Sequence, residues 1–269
     1  MKPLRQVHRS RPEEQAPVES PGQPWYEVAF DGDYLARYAE RSDAAAAREA
    51  PFLVRALGAP RGTWILDVCC GGGRHCRGLA AAGYRVVGVD LSPELLRCGG
   101  RHGPALCLAR GDARSMPLRS GVFAGAVNLF TSFGYFATEA EDLQALNEVA
   151  RVLTPDGVFV LDFFNLRPTV EALVAHSEKR VGDLHVREWR RYDGARRRLE
   201  KTVRVEDTTG ARPARQFTES VRAYSPQELS VLLRQAGLQE TARFGDLHGS
   251  AFHVQRSPRC VCVARKSAR

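Results

Sequence analysis

Between residues 63 and 164 short apolar runs alternate with amphipathic stretches. "TWILDV" (63–68), "RVVGVD" (85–90), "ALCLAR" (105–110), "GVFAGAVNLF" (121–130) and "VFVLDFF" (158–164) are near-continuous apolar runs, the mark of strands covered on both faces. Between them, "RHCRGLAAAGY" (74–84) predicts a helix ending at Gly83, and "SPELLRCGGRH" (92–102) opens another, with Ser92 as N-cap and Pro93 in the first turn. "TEAEDLQALNEVARVL" (138–153) sets Leu143, Leu146, Ala150 and Leu153 on one helical face. Pro155-Asp156-Gly157 predicts a turn into the fifth strand. Strand and helix in alternation predict an α/β chain with a mostly parallel sheet. Ahead of it, Phe30, Tyr34, Tyr38, Phe52, Leu53 and Leu57 recur at helical spacing over 25–57 and predict one or two helices.

After about residue 170 the rhythm changes. Residues 180–224 alternate polar and apolar, with Leu199, Val203 and Val205 on one side and turns at Tyr192-Asp193-Gly194 and Thr208-Thr209-Gly210. This predicts an antiparallel insertion of three strands with one wet face. "SPQELSVLLRQAG" (225–237) carries a capping box of Ser225 and Glu228, Pro226 at the first position and Gly237 at the end, so a helix follows. "RCVCVARK" (259–266) alternates as a last strand. The expected organisation is a tail over 1–23, too polar to order, and one domain over 24–269 with the insertion at about 170–224.

Composition narrows the class. At 269 residues, 43% hydrophobic and 26% charged, the chain is long enough to bury a real core. No apolar run reaches the roughly 18 residues that span a bilayer, and the first residues lack the apolar core of a secretory signal, so a cytoplasmic protein without a membrane partner is expected. Seven cysteines, without framework spacing, suit a reducing compartment. The net charge of +8 is mostly arginine. It suits a nucleic-acid or phosphorylated partner and equally an arginine-rich composition. The pattern carries no signature of an oligomeric state.

The densest chemistry lies in "ILDVCCGGGRH" (65–75). A strand, a glycine turn and a helix expose free N–H groups and backbone to a ligand. The dinucleotide fingerprint fails, because Cys76 stands where its last glycine belongs. The P-loop fails as well, because Arg74-His75 replace Lys-Ser/Thr. What remains is Asp67-x-x-x-Gly71-x-Gly73, whose leading carboxylate suits a cationic or zwitterionic ligand. Asp90 ends the second strand, 23 residues after Asp67, where a carboxylate accepts ribose hydroxyls. Asp112 follows the third strand, placed to accept from an exocyclic amine, with Met116 or Leu118 against the ring. Each alone reads as a solvated loop aspartate; three in register at successive strand ends point to a ligand.

Together with "VVGVDLSPELL", "ARGDARSMPL", "FAGAVNLFTSFGYF" and "NEVARVLTPDGVFVLDFFN", the loop makes residues 25–165 resemble a class I S-adenosylmethionine-dependent methyltransferase. The resemblance implies a Rossmann-like, seven-stranded, mostly parallel sheet with helices on both faces, plus the antiparallel insertion after the fifth strand. It implies S-adenosylmethionine as cofactor and no metal. Asp67, Gly71 and Gly73 would lie by the methionine, Asp90 and Leu91 by the ribose, Asp112 and Ala113 by adenine. Asn128 and Leu129 would lie near the sulfonium, with Tyr38, beside Tyr34, as a lid. Cys69 departs from the superfamily, which has glycine there, and altered packing is the expected consequence.

The expected reaction moves a methyl group to an N or O atom of a small-molecule acceptor. Alternatives are methylation of tRNA or rRNA, or a cofactor-binding regulator without catalysis. The stretch after the fourth strand, Asn128-Leu129-Phe130-Thr131, lacks the motif for methylating amino groups of DNA bases. No Pro-Cys or Thr-Cys nucleophile for cytosine carbon 5 is present either. The candidate catalytic residues are Asn128, Asp162 and His248, with Asn165 and His253 beside them, histidine being the best-poised acceptor near neutral pH. His75 reads as a positioning residue. "NLFTSFGYF" (128–136) reads as the floor of the acceptor pocket. In the insertion, expected as a cap, Arg187, Arg190, Arg191 and Arg222 read as phosphate or carboxylate contacts or as a solvated sheet face. Interleaved Glu188, Glu200, Glu206 and Glu219 disfavour nucleic acid. Cys260-x-Cys262, lacking a second pair, reads as core.

Overall fold

The computed structural model describes residues 23–99 and 106–267; the expected tail and the ends of the second helix and third strand around residues 100–105 lie outside them. The chain forms two units. One comprises the described residues up to Ala29 with Leu173–Arg222, the other Phe30–Ala172 with Ala223–Arg269.

The larger unit holds β1 (Trp64–Val68), β2 (Arg85–Asp90), β3 (Cys107–Arg110), β4 (Phe123–Asn128), β5 (Leu153–Phe164), β10 (Leu238–Phe244) and β11 (Arg259–Lys266) in one sheet. Their spatial order is β10-β11-β5-β4-β1-β2-β3. β1 to β5 run parallel, and β11 runs antiparallel to both β5 and β10. This is the seven-stranded, mostly parallel sheet expected. The order reverses between β1 and β4, so the crevice at their carboxyl ends is the natural ligand position of such a sheet.

Among the described residues, seven helices or single turns accompany the sheet: α2 (Tyr34–Arg37), α3 (Asp43–Leu57), α4 (Arg74–Ala81), α5 (Pro93–Gly99), α6 (Glu139–Val152), α7 (Leu166–Glu171) and α8 (Pro226–Gln235). Ile65, Val127, Val160 and Val263 share one face of the sheet with Phe52, Leu53 and Leu57 of α3 and Cys76 and Leu79 of α4. The alternate residues Leu66, Phe159, Leu161 and Phe163 are just as buried, so the strands are covered on both faces. Side-chain caps fix the starts of α3, α6 and α8. Ser42 accepts the Ala45 N–H, and Thr138–Glu141 and Ser225–Glu228 form complete capping boxes.

The smaller unit consists of α1 (Trp25–Val28) and the antiparallel sheet β6 (His176–Val181), β7 (Leu184–Asp193), β8 (Arg198–Asp207) and β9 (Arg215–Arg222). One face buries Leu184, Val186, Val203, Val205 and Phe217, with Ala29, Trp25 and Val28 packed on it.

Four expectations need correction. The leading segment forms three elements, because two single turns precede the well-capped α3. The insertion has four strands: β6, with its His-Ser-Glu-Lys-Arg run, is too polar to read as a strand. β10 was not foreseen, since Gln239, Glu240 and Arg243 hide its alternation. Pro155-Asp156-Gly157 does not precede the fifth strand. It is taken into β5 as an irregularity, where Phe123 pairs with Leu153 but Gly125 with Val158, and Asp156 adopts φ +60°. Among the described residues, no helix is long and apolar enough to cross a membrane.

Candidate active site

The loop after β1 is built from left-handed backbone: Cys69 has φ +58°, Gly71 +54° and Gly73 +72°. A Cβ on Gly73 would also lie 2.7 Å from Leu106 Cδ1. Cys69 is therefore unusual for a backbone reason more than a packing one, since a residue with a Cβ costs roughly 1–2 kcal/mol in this conformation. The Cys70 N–H donates to Val89 O at 3.0 Å and the Gly73 N–H to Cys70 O at 2.9 Å, closing the turn that starts α4. No side chain caps that helix start, so its first N–H groups stay available to a ligand.

Asp90 ties this loop to the end of β2. Its carboxylate accepts the Gly71 N–H at 2.7 Å and the Ser92 N–H at 2.8 Å. Burial raises its pKa, and those backbone donors, with Leu91 N–H, pull it back. Ser92 in turn accepts the Leu95 N–H, as expected of an N-cap, and donates to Phe30 O at 2.7 Å. Asp67 is buried behind the loop and accepts the Cys76 thiol at 3.3 Å. Burial, outweighing the charges of His75 and Arg74 and the thiol bond, pushes its pKa up to about 6. Asp112 differs from the expectation of an open carboxylate. Arg114 binds both its oxygens, at 2.7 Å for the shortest contact, reaches Glu141 at 2.7 Å, and stacks over Phe136. Burial raises the Asp112 pKa, and the Arg114 bonds more than reverse that. Ala113 is half-buried beside it, and Met116 is buried.

At the end of β4, Asn128 donates from Nδ2 to Val68 O at 3.1 Å and to Ser132 O at 3.2 Å. Its Oδ1 is buried without a hydrogen-bond partner, an acceptor left for a donor from a ligand. Leu129 is buried next to it. Phe130 and Thr131 then adopt φ +56° and +63°. Two consecutive non-glycine residues in this region cost of order 1–3 kcal/mol each and concentrate at functional sites.

Sequence reasoning missed the cations here. The Arg74 guanidinium lies 4.1 Å from the Phe130 ring centroid, Arg41 5.7 Å and Arg259 5.8 Å, and the His75 ring stacks on it at 5.7 Å. Arg41 also sits 4.4 Å over Tyr38 and bonds Tyr34 Oη at 2.6 Å, which brings the expected lid tyrosines to the carboxyl end of β4. Burial lowers the Arg74 pKa; the Arg41 charge does too, and Glu49 opposes them. Arg74 had a readable signal, for a cation in the first turn of a helix opposes the macrodipole and asks for a reason. Arg41 and Arg259 had none. His75 is buried with Nε2 2.7 Å from Glu49 Oε2, a structural pairing.

The other catalytic candidates fall outside this cluster or are already engaged. Asp162 is fully buried; Oδ2 accepts the Phe130 N–H at 2.8 Å and Oδ1 the Arg259 Nε–H at 2.7 Å. Fully buried and ion-paired with the Arg259 guanidinium, Asp162 has the place of a brace. Asn165 is likewise buried; its Nδ2 donates to Val254 O and Ser257 O, and its Oδ1 has no hydrogen-bond partner, but its amide is anchored to the loop before β11 and away from the glycine turn. His248 and His253 are exposed loop residues, His248 with its N–H turned to Asp246 Oδ1 at 2.8 Å. In the smaller unit, Arg187 pairs with Glu206, Arg190 with Glu188 and Arg191 with Glu200, so the charge there is largely spent on a sheet face. Cys260 and Cys262 are buried core, and among the described residues no group of three His, Cys, Asp or Glu forms a metal set.

The reversal between β1 and β4, the glycine turn and the acidic strand ends together define the Rossmann-like class I methyltransferase fold. Residues 65–157 match the family described as "Methyltransferase domain". It is 34% identical over 137 residues to a dTDP-3-amino-3,6-dideoxy-alpha-D-glucopyranose N,N-dimethyltransferase from Streptomyces fradiae, a match covering 51% of each protein. The chain thus spans about half the length of that relative. The CcbJ methyltransferase from Streptomyces caelestis shares the fold with a TM-score of 0.70 at 21% identity, over 89% of this chain and 98% of that one. The sugar N-methyltransferase KedS8 from a Streptoalloteichus species does so with a TM-score of 0.66 at 22% identity, over 97% and 100%.

Proposed function

We propose that this protein transfers a methyl group from S-adenosylmethionine to an N or O atom of a small molecule, and that the acceptor is an amino sugar. The observation that carries the first part is the buried, unpartnered Asn128 Oδ1 beside the glycine loop. An acceptor atom beside the uncapped start of α4 fits a ligand that is ammonium at one point and carboxylate at another. Asn128 would take the ammonium; the free N–H groups of α4, with Arg74 and Arg41, would take the carboxylate. Asp90 keeps lone pairs for ribose hydroxyls, and Asp112 and Ala113 flank the adenine position.

The cofactor supplies a methyl group already activated on a sulfonium. The chain's residues therefore have to align the acceptor atom with that methyl and keep water out; no side chain at the site is required to take a proton before attack by a neutral amine. Phe130, Ser132 and Tyr135 would form the floor on which the acceptor lies. The amino-sugar part rests on the relatives' named substrates, and the ion-paired arginines of the smaller unit give nucleic acid no comparable support.

The test incubates the protein with S-adenosylmethionine and a panel of nucleotide-linked amino sugars, the same sugars lacking the amino group, and bulk tRNA. S-adenosylhomocysteine release is read. Turnover on amino sugars alone is expected; turnover on tRNA alone, or on none with the cofactor bound, would overturn the proposal.

A further inference from the structure

The turn after β4 is held by the two strands beside it, β5 and β11. The Asp162 carboxylate on β5 accepts the Phe130 N–H, and Asp162 O accepts the Thr131 N–H at 3.0 Å. Arg259, at the start of β11, donates from Nε to Asp162 Oδ1 and from Nη2 to Thr131 Oγ1 at 3.0 Å, and lies against the Phe130 ring. Both strained residues thus have their N–H groups fixed by one buried aspartate, and that aspartate is fixed by one arginine. The same turn includes the Ser132 carbonyl that orients Asn128, and the Phe130 ring that receives Arg74 and Arg41.

We propose that Arg259 and Asp162 are positioning residues of the cofactor site. They hold Phe130 and Thr131 in the left-handed conformation that sets the Asn128 amide and the Phe130 ring. A strained turn of two non-glycine residues persists only where its surroundings over-determine it, and these contacts are what over-determines it. The inference rests on the proposed cofactor site, yet the brace itself is measurable without a ligand.

The experiment pairs calorimetric titration of S-adenosylhomocysteine with amide hydrogen exchange over residues 128–132 in the ligand-free protein. Arg259→Met is expected to weaken binding about tenfold, or about 1.4 kcal/mol, and to expose the Phe130 and Thr131 amides to exchange. Adding Thr131→Gly is expected to recover part of the affinity, roughly threefold, because glycine adopts positive φ without strain. Arg259→Lys, which keeps the charge on Asp162, is expected to lie between wild type and Arg259→Met. Affinity within about twofold of wild type in Arg259→Met, unchanged amide protection, or no recovery on adding Thr131→Gly would overturn the inference. Should Arg259→Met not fold, Thr131→Val, which removes the Oγ1 contact and keeps the β-branched shape, replaces it, with about threefold weaker binding expected and unchanged binding overturning the inference. Failure of the wild type to bind would overturn the functional reading, and the exchange measurement would still decide the brace.

Discussion

Replacing Asp67 by asparagine is expected to stabilise the protein at neutral pH. Asp67 is 2% exposed near the end of β1, and burial holds its pKa at about 6 against an ordinary 3.8. Between those two values the folded chain binds a proton that the unfolded chain has lost. Stability therefore falls as pH rises through this window and stays lower above it. At 1.36 kcal/mol per pH unit, the interval amounts to about 3 kcal/mol. An asparagine side chain there keeps nearly the same shape and an oxygen for the Cys76 thiol, and it does not titrate. The variant and wild type are thus expected to be close in stability at pH 4 and to diverge to about 3 kcal/mol by pH 7, or roughly 6–12 °C in melting temperature for a chain of this size. Calorimetric melts of both proteins from pH 4 to 7.5 measure this, with all other titrations cancelling in the difference. Parallel curves across the window, or a less stable variant at pH 7, would refute the reasoning.

Two further outcomes follow from packing and capping. A Cβ on Gly99 would lie 2.6 Å from Gly72 O and 2.9 Å from its carbonyl carbon, so Gly99→Ala is expected to lose about 1–3 kcal/mol in chemical denaturation and also to weaken S-adenosylhomocysteine binding, because the displaced atoms belong to the glycine loop. Ser225→Ala removes the cap of α8, a helix packed on the edge strand β10, which three strands separate from β1 and its glycine loop; it is expected to cost about 1 kcal/mol with cofactor affinity unchanged in the same titration.

The sheet was legible because buried parallel strands leave uninterrupted apolar runs, and the glycine loop because its acidic and glycine positions sit at fixed spacing within one segment. β6 and β10 were not legible, since Glu178, Lys179, Gln239 and Glu240 break the alternation that pairing partners elsewhere in the chain sustain. The site divides along the same line. Asp90 and Asn128 could be located because each ends a readable strand. Asp162 looked the same by position, yet its partner Arg259 is 97 residues away, and a contact of that range leaves no local trace. Asp112 follows β3 as its pattern implies, but its bonds to Arg114 depend on a two-residue turn whose geometry the pattern does not carry.

A cofactor site at the carboxyl ends of β1, β2 and β4, organised by Asp90, is tested most directly by titrating S-adenosylhomocysteine into wild type and Asp90→Ala. Saturable one-to-one binding by wild type is expected, with binding at least about tenfold weaker in the variant, at least about 1.4 kcal/mol, because the ribose position and the Gly71 N–H lose the same carboxylate. No binding by wild type, or equal binding by both, would contradict it.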